Sequence, residues 1–382
     1  MLTFYEFFAG GGMVRAGLGQ TWRCLFANDF DYKKGRVYRQ NWGAAELRTT
    51  DVRLLTTKDL PATASLAWAS FPCQDLSLAG WGAGLKGDRS GTFWPFWNLM
   101  RGLNEERRPP QFIVLENVCG TLSSHDGKDF GSICSAFQEA EYSVGAVVVD
   151  ATLFVPQSRP RLFIIGVHSK LKIPECLTTE APLFPWHTRT LRTAYEKLPQ
   201  EAKLAWIWWN FPLPPKRMTR LTDIIEEKPS SVEWFSAEEV QRLLSIMSPI
   251  NYDKLIKAKQ EPGKMVGTAY KRTREDRLGQ KAQRAEIRFD DVSGCLRTPA
   301  GGSSRQLIVV VDEQTVKARL ISSRETARLM GLGDDYLLPK NYNEAYHLTG
   351  DGVVVPVVRY LAEHILEPLL LRIPKEKSTV AA

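Results

Sequence analysis

Six short apolar runs, separated by helix-patterned stretches, constrain the first 170 residues more than any other feature of the chain. They are LTFYEFF (2–8), RCLFAN (23–28), SLAWASF (65–71), FIVLEN (112–117), YSVGAVVVD (142–150) and RLFIIGV (161–167). Between them lie segments with helical patterning, such as FWPFWNLMRGLNEE (93–106) and FGSICSAFQEAE (130–141). Strands that are apolar throughout are buried on both faces, and their alternation with helices predicts an α/β fold with a doubly wound, mainly parallel sheet. Sheets of this kind bind ligands beyond the carboxyl ends of their strands. Gly10, Asp29, Cys73 and Glu116 all fall at such ends, so the fold is expected to bring them together.

From about Pro174 the pattern changes, and prolines, tryptophans and charges accumulate in PLFPWHTRT and WIWWNFPLPP. The expected organisation is a first domain over 1–175, a second over 176–325, and a segment over 326–382 that packs back on the first. The last of these contains GDGVVVPVVRYLAEHILEPLLL (350–371), a glycine turn followed by an apolar amphipathic helix. Between Lys254 and Arg305 stand 13 lysines and arginines against 6 acids, so this stretch alone carries the chain's net charge of +7. Five of those arginines lie in YKRTREDRLGQKAQRAEIR (270–288). Basic charge confined to one region points to a polyanion, because neutralising phosphates releases counterions. A solvated basic face is the competing reading. The six cysteines (24, 73, 119, 134, 176, 295) show no C-x-x-C spacing. Neither a zinc site nor a disulfide framework is expected, and a reducing cytoplasm fits. No run approaches the roughly 20 apolar residues of a membrane span, and MLTFYEFFAGGG reads as a first core strand rather than a signal peptide.

WASFPCQDLS (68–77) places a thiol just where an apolar strand breaks into a polar loop. Free cysteines are usually buried and inert, so this one is unusual in position. FFAGGGMVRAGLG puts a triple glycine between a strand and a helix start, where backbone can approach a ligand, although it is not the G-x-G-x-x-G pattern. Asp29 follows the second strand candidate and Asp51 lies in TTDVR further on; the two suit ribose and adenine contacts, and either also suits a helix cap. In LENV, Glu116 ends a very apolar strand, a costly place for a carboxylate unless it is paired or used. In VPQSRPRLFII, alternation puts Arg159 and Arg161 on the same side of an extended chain.

Taken in order, FFAGGG, Asp29, TTDV, FPCQDLS, LENV, PQSRPR, SRETARLMGL and GDGVVVPVV resemble the motifs of the DNA (cytosine-5)-methyltransferases, over nearly the whole chain outside its variable region. The resemblance implies a Rossmann-like S-adenosylmethionine-dependent sheet with a smaller, irregular target-recognition domain. It implies a methyl transfer from S-adenosylmethionine to C5 of a specific cytosine in double-stranded DNA, with the base flipped out of the duplex. In that reading Cys73 attacks C6, Glu116 hydrogen-bonds the ring N3 and the exocyclic amine, Arg159 braces the base, and Arg161 supports them. Phe8, Gly10, Gly12, Val52, Pro72 and Asp351 line the cofactor pocket. Asp29 takes the ribose hydroxyls, Phe30 stacks on adenine, and Asp51 contacts the adenine amine. Ser77, Arg89, Gln157, Arg272, Arg274, Arg277, Arg297 and Arg305 contact DNA, and LAGWGAGLKGDRSG (78–91) closes over it.

Two positions depart from the family pattern: Glu6 stands where aspartate is more usual, and Asp351 where asparagine is. The resemblance further implies a cytoplasmic monomer, with any cognate restriction endonuclease acting separately. Two other readings are an RNA cytosine-5 methyltransferase of the same fold and a catalytically idle DNA-binding protein. The basic second region argues against the first, and the intact Cys73, Glu116 and Arg159 against the second.

Overall fold

The computed structural model describes residues 1–71, 91–275, 280–297 and 305–371. Its large sheet has nine strands: β1 (Leu2–Phe7), β2 (Trp22–Asp29), β3 (Leu47–Thr49), β4 (Leu66–Ala69), β5 (Phe112–Val118), β6 (Tyr142–Asp150), β7 (Pro160–His168), β8 (Thr178–Thr179) and β9 (Trp206–Trp209). They lie in the order β3-β2-β1-β4-β5-β7-β6-β9-β8. All six predicted strands are present. The pairings from β3 to β5 are parallel. Beyond them β7 runs antiparallel to both β5 and β6, because the short connection after β6 folds the chain straight back.

The sheet is covered on both faces. Alternation along β1 sends Phe4 and Glu6 to one side and Tyr5 and Phe7 to the other. On the first side lie α1 (Met13–Leu18), α2 (Tyr32–Trp42) and the C-terminal segment, whose Val354, Val358, Leu361 and Ile365 join that core. On the second lie α3 (Phe93–Glu105) and α4 (Lys128–Glu139), packed through Phe93, Trp97, Ile133 and Phe137. The C-terminal segment thus packs on the first body. Gly17 of α1 is in close contact with that segment: a Cβ there would lie 2.5 Å from Val358.

The domain boundary at 175 is corrected. β8 and β9 join the large sheet, and Trp186, Trp209, Phe211, Leu221 and Ile224 lie in its core. The chain thus stays with the first body to about residue 225, and the tryptophans there fill a core already begun. The second body is also more regular than expected. It holds a four-stranded antiparallel sheet, β11-β10-β12-β13, from β10 (Lys264–Glu275), β11 (Lys281–Arg288), β12 (Leu307–Asp312) and β13 (Thr315–Leu320). Helices Ala237–Ser245 and Pro249–Gln260 cover it, and Val240, Leu243, Leu255, Ile287 and Val309 form a separate core. No described helix is long and apolar enough to cross a membrane.

Candidate active site

The carboxyl ends of β1, β2, β4 and β5 open onto a cavity of about 440 Å³, lined by Phe8, Gly10, Asp29, Phe30, Phe71 and Glu116. Gly10 adopts φ 55°, a left-handed conformation that brings its amide to the Asp29 carboxylate at 2.8 Å. The other Asp29 oxygen accepts from the Asp31 amide, also at 2.8 Å. Burial pushes the Asp29 carboxyl up, against the pull of Lys34 and these two amides. Phe30 stands beside it, 72% exposed among the described residues. Lys34 reaches across the cavity to Asp351 at 2.7 Å. Burial alone would lower the Lys34 ammonium; Asp351, then Asp29 and Asp31, outweigh it and leave it raised.

The far wall is made by the ends of β5 and β7. Glu116, 6% exposed, pairs with Arg161 at 3.2 Å. Asn117 donates to the Phe71 carbonyl at 3.1 Å, tying the strand end that leads to Pro72 and Cys73 to the strand end that carries Glu116. Arg159 is 2% exposed, and its guanidinium donates to the carbonyls of Leu296 (3.0 Å), Gly350 (2.8 Å) and Gly352 (2.7 Å) and to Cys295 Sγ (3.3 Å). Asp150 accepts from the Arg159 amide at 2.9 Å and sets its place. Arg159 thus holds the cavity-lining segment 350–352 and the segment 295–296 in one grip. Burial, then the like charge of Arg161, lowers its pKa.

A second, larger cleft of about 900 Å³ lies between the two bodies. Val118 and Arg161 line both spaces, so cavity and cleft meet at the Glu116–Arg161 pair. Cys295 lines the cleft, and its thiol is unusual. Burial alone would push it up, but Arg159, Arg161 and Arg297 outweigh burial and hold it below its ordinary value. Cys24, by contrast, is pushed up to about 12 by burial.

The structure therefore gathers Phe8, Gly10, Asp29, Phe30, Asp351, Glu116, Arg159 and Arg161 at the cavity, and Arg161, Arg272 and Arg297 at the cleft. It places others elsewhere. Gly12 faces inward: a Cβ there would lie 2.3 Å from Trp42 Nε1, so this glycine serves helix packing and not the pocket. Asp51 is outside the lining and caps the turn Val52–Leu54 through the Arg53 amide at 2.9 Å; Val52 is buried beneath it. Gln157 is fully buried, donating to the Leu329 carbonyl at 2.8 Å and accepting from the Leu296 amide at 3.2 Å, so it joins segments of the fold and has no surface to offer DNA. Arg305 lies over the rings of Tyr342 and Tyr346 and hydrogen-bonds Asn343, away from the cleft lining. Arg274 lies in β10. Pro72, Cys73, Ser77, Arg89, Arg277 and nearly all of the 78–91 loop lie outside the described residues. Sequence reasoning missed Lys34, Asn117, Asp150 and Cys295. Asn117 alone carried a local signal, beside Glu116 in LENV.

Comparison with known proteins agrees with this geometry. The chain is 25% identical over 388 residues to the type II methyltransferase M.HpaII of Haemophilus parainfluenzae, spanning 96% of this chain and 90% of that one. It is 26% identical over 368 residues to M.HhaI of Haemophilus parahaemolyticus, spanning 95% and 94%. Its fold resembles the crystal structure of the S. pombe Dnmt2 methyltransferase, with a TM-score of 0.61 at 18% identity over 97% of this chain and 99% of that one. The profile of the C-5 cytosine-specific DNA methylases matches residues 2–367. With that match across both bodies and the site between them, the chain belongs to the C-5 cytosine-specific DNA methylase family.

Proposed function

We propose that Cys73, Glu116, Arg159 and Arg161 together carry out this family's reaction, methylation of C5 of a cytosine in duplex DNA. The observation that carries the reading is the meeting of cavity and cleft at Glu116 and Arg161. A base swung out of a duplex held in the cleft arrives at the carboxylate, with the cofactor cavity directly behind it.

The cavity suits S-adenosylmethionine. Its volume is in the range of small-ligand sites, the Asp29 carboxylate held by the Gly10 amide suits ribose hydroxyls, and the exposed Phe30 side chain offers a stacking surface. When bound, that cofactor supplies an electrophilic methyl group on a sulfonium. Cys73 adds as thiolate to C6 of the flipped cytosine, which makes C5 electron-rich enough to take the methyl. Loss of the C5 proton then expels the thiolate and restores the C5–C6 double bond. Glu116 hydrogen-bonds N3 and the exocyclic amine, and Arg161 holds its carboxylate in register. Arg159 keeps the cofactor-side and DNA-side segments in fixed relation as the base enters.

We read the enzyme as a cytoplasmic monomer that acts apart from any cognate endonuclease; its similarity to type II methyltransferases supports this. The test is transfer of tritiated methyl from S-adenosylmethionine to duplex DNA. Wild type should label DNA, and Cys73→Ser should not; equal labelling by the two would overturn the assignment.

A further inference from the structure

One wall of the larger cleft is a face of the β10–β11 ribbon that the reaction above does not use. Alternation sends Ala269, Ala285 and Ile287 into the core of the second body, each at most 2% exposed. The opposite face turns Thr268, Tyr270, Arg272, Glu286 and Arg288 into the cleft. Antiparallel register sets Tyr270 opposite Glu286 and Arg272 opposite Arg284. The Tyr270 hydroxyl donates to Glu286 Oε2. Asp290 holds Arg288 through two bonds of 2.6 Å.

Two features of this face mark it for a ligand. Like charges directly opposite on paired strands cost stability, so the Arg272–Arg284 rung is a poor arrangement until an anion lies across it. A carboxylate on the same wall repels phosphates, so Glu286 weakens binding to any polyanion that offers it no donor. A group that weakens every complex but the right one raises specificity. Strands about 4.8 Å apart form a ribbon narrow enough for the roughly 12 Å major groove. There cytosine presents its N4 amine, for which a carboxylate is the natural acceptor.

We propose that the Tyr270–Glu286 rung reads a G·C pair beside the target, with Glu286 accepting from cytosine N4, while the Arg272–Arg284 rung grips the neighbouring phosphates. This rests on the enzyme reading above and names the residues that choose its DNA site. Tyr270 fixes the carboxylate rotamer, so it is a positioning residue.

The test is bisulfite sequencing of DNA from hosts expressing wild type, Glu286→Gln or Tyr270→Phe. Salt titrations of DNA binding accompany it for the Arg272→Ala/Arg284→Ala double variant. Wild-type sites should share one fixed G·C pair near the methylated cytosine. Glu286→Gln should lower discrimination at that position alone by about tenfold, and Tyr270→Phe by less. The double variant should keep the same site and reduce the slope of log affinity against log salt by about 2. Unchanged preference at every position in both Glu286→Gln and Tyr270→Phe, with methylation retained, would overturn the proposal. A wild type that methylates no cytosine would instead overturn the enzyme reading on which it rests.

Discussion

Glu6 is a carboxyl that the fold can hold charged only at a cost. It sits on the α1 side of β1, fully buried. The amides of Val14 and Arg15 approach it, yet no well-formed hydrogen bond reaches either oxygen. Burial pushes its pKa from 4.5 up to about 8; Arg15 and the two amides offset part of the rise, and Asp29 adds to it. Because the folded value is the higher one, the folded protein holds a proton that the unfolded chain releases between 4.5 and about 8. Stability is therefore greatest below that window and falls as pH rises through it. Each pH unit inside the window is worth about 1.36 kcal/mol, so from about pH 5.5 to about pH 7 the wild type should lose roughly 2 kcal/mol from this group alone. Glu6→Gln removes the titration. Urea unfolding of both proteins across this range isolates the effect, since every other titrating group is common to the two and only the difference in slope is read. The variant should gain about 2 kcal/mol on wild type between the two ends. Parallel pH profiles would show that Glu6 does not titrate differently in the folded and unfolded chain.

Asp29→Ala should weaken S-adenosylmethionine binding by about 1.5–3 kcal/mol, the range for a hydrogen bond to a charged group. Unchanged affinity by calorimetry would leave Asp29 with only its present work of accepting from Gly10 and Asp31. Arg319 and Glu325 form a fully buried ion pair at 2.6 Å, where the second body joins helix Ser323–Leu329. Arg319→Met strands the Glu325 carboxylate and should cost roughly 3–5 kcal/mol in chemical denaturation. A loss below about 1 kcal/mol would show that the pair is not holding that junction.

The core strands were legible because each is apolar on both faces and long enough to stand out. β3 and β8 were not, since three and two residues carry no period. β9 was hidden in WIWWNFPLPP, where neighbouring prolines and the change in composition suggested a new domain; the burial of Trp209 and Phe211 in the first core depends on partners distant in the chain. The basic stretch at 270–288 read as charge, yet its two ends pair as β10 and β11, with Ala285 and Ile287 in the core and Tyr270, Arg272, Glu286 and Arg288 lining the cleft. Residues at strand ends were found because topology brings such ends together. Gln157 was misassigned for the opposite reason: its partners Leu296 and Leu329 are more than a hundred residues away, and no local pattern shows that it is buried between them.

Cys73 is the proposed nucleophile, and the structure offers a rival in Cys295, a thiol held below its ordinary pKa at the cleft. Duplex DNA carrying 5-fluorocytosine in the recognition site separates them, because fluorine at C5 cannot leave as a proton and the adduct is stranded after methylation. A denaturant-stable protein–DNA complex should form only with S-adenosylmethionine present, its cross-linked peptide should contain Cys73, and Cys73→Ser should form none. A cross-link mapped to Cys295, or a stable complex formed by Cys73→Ser, would take the nucleophile's role away from Cys73.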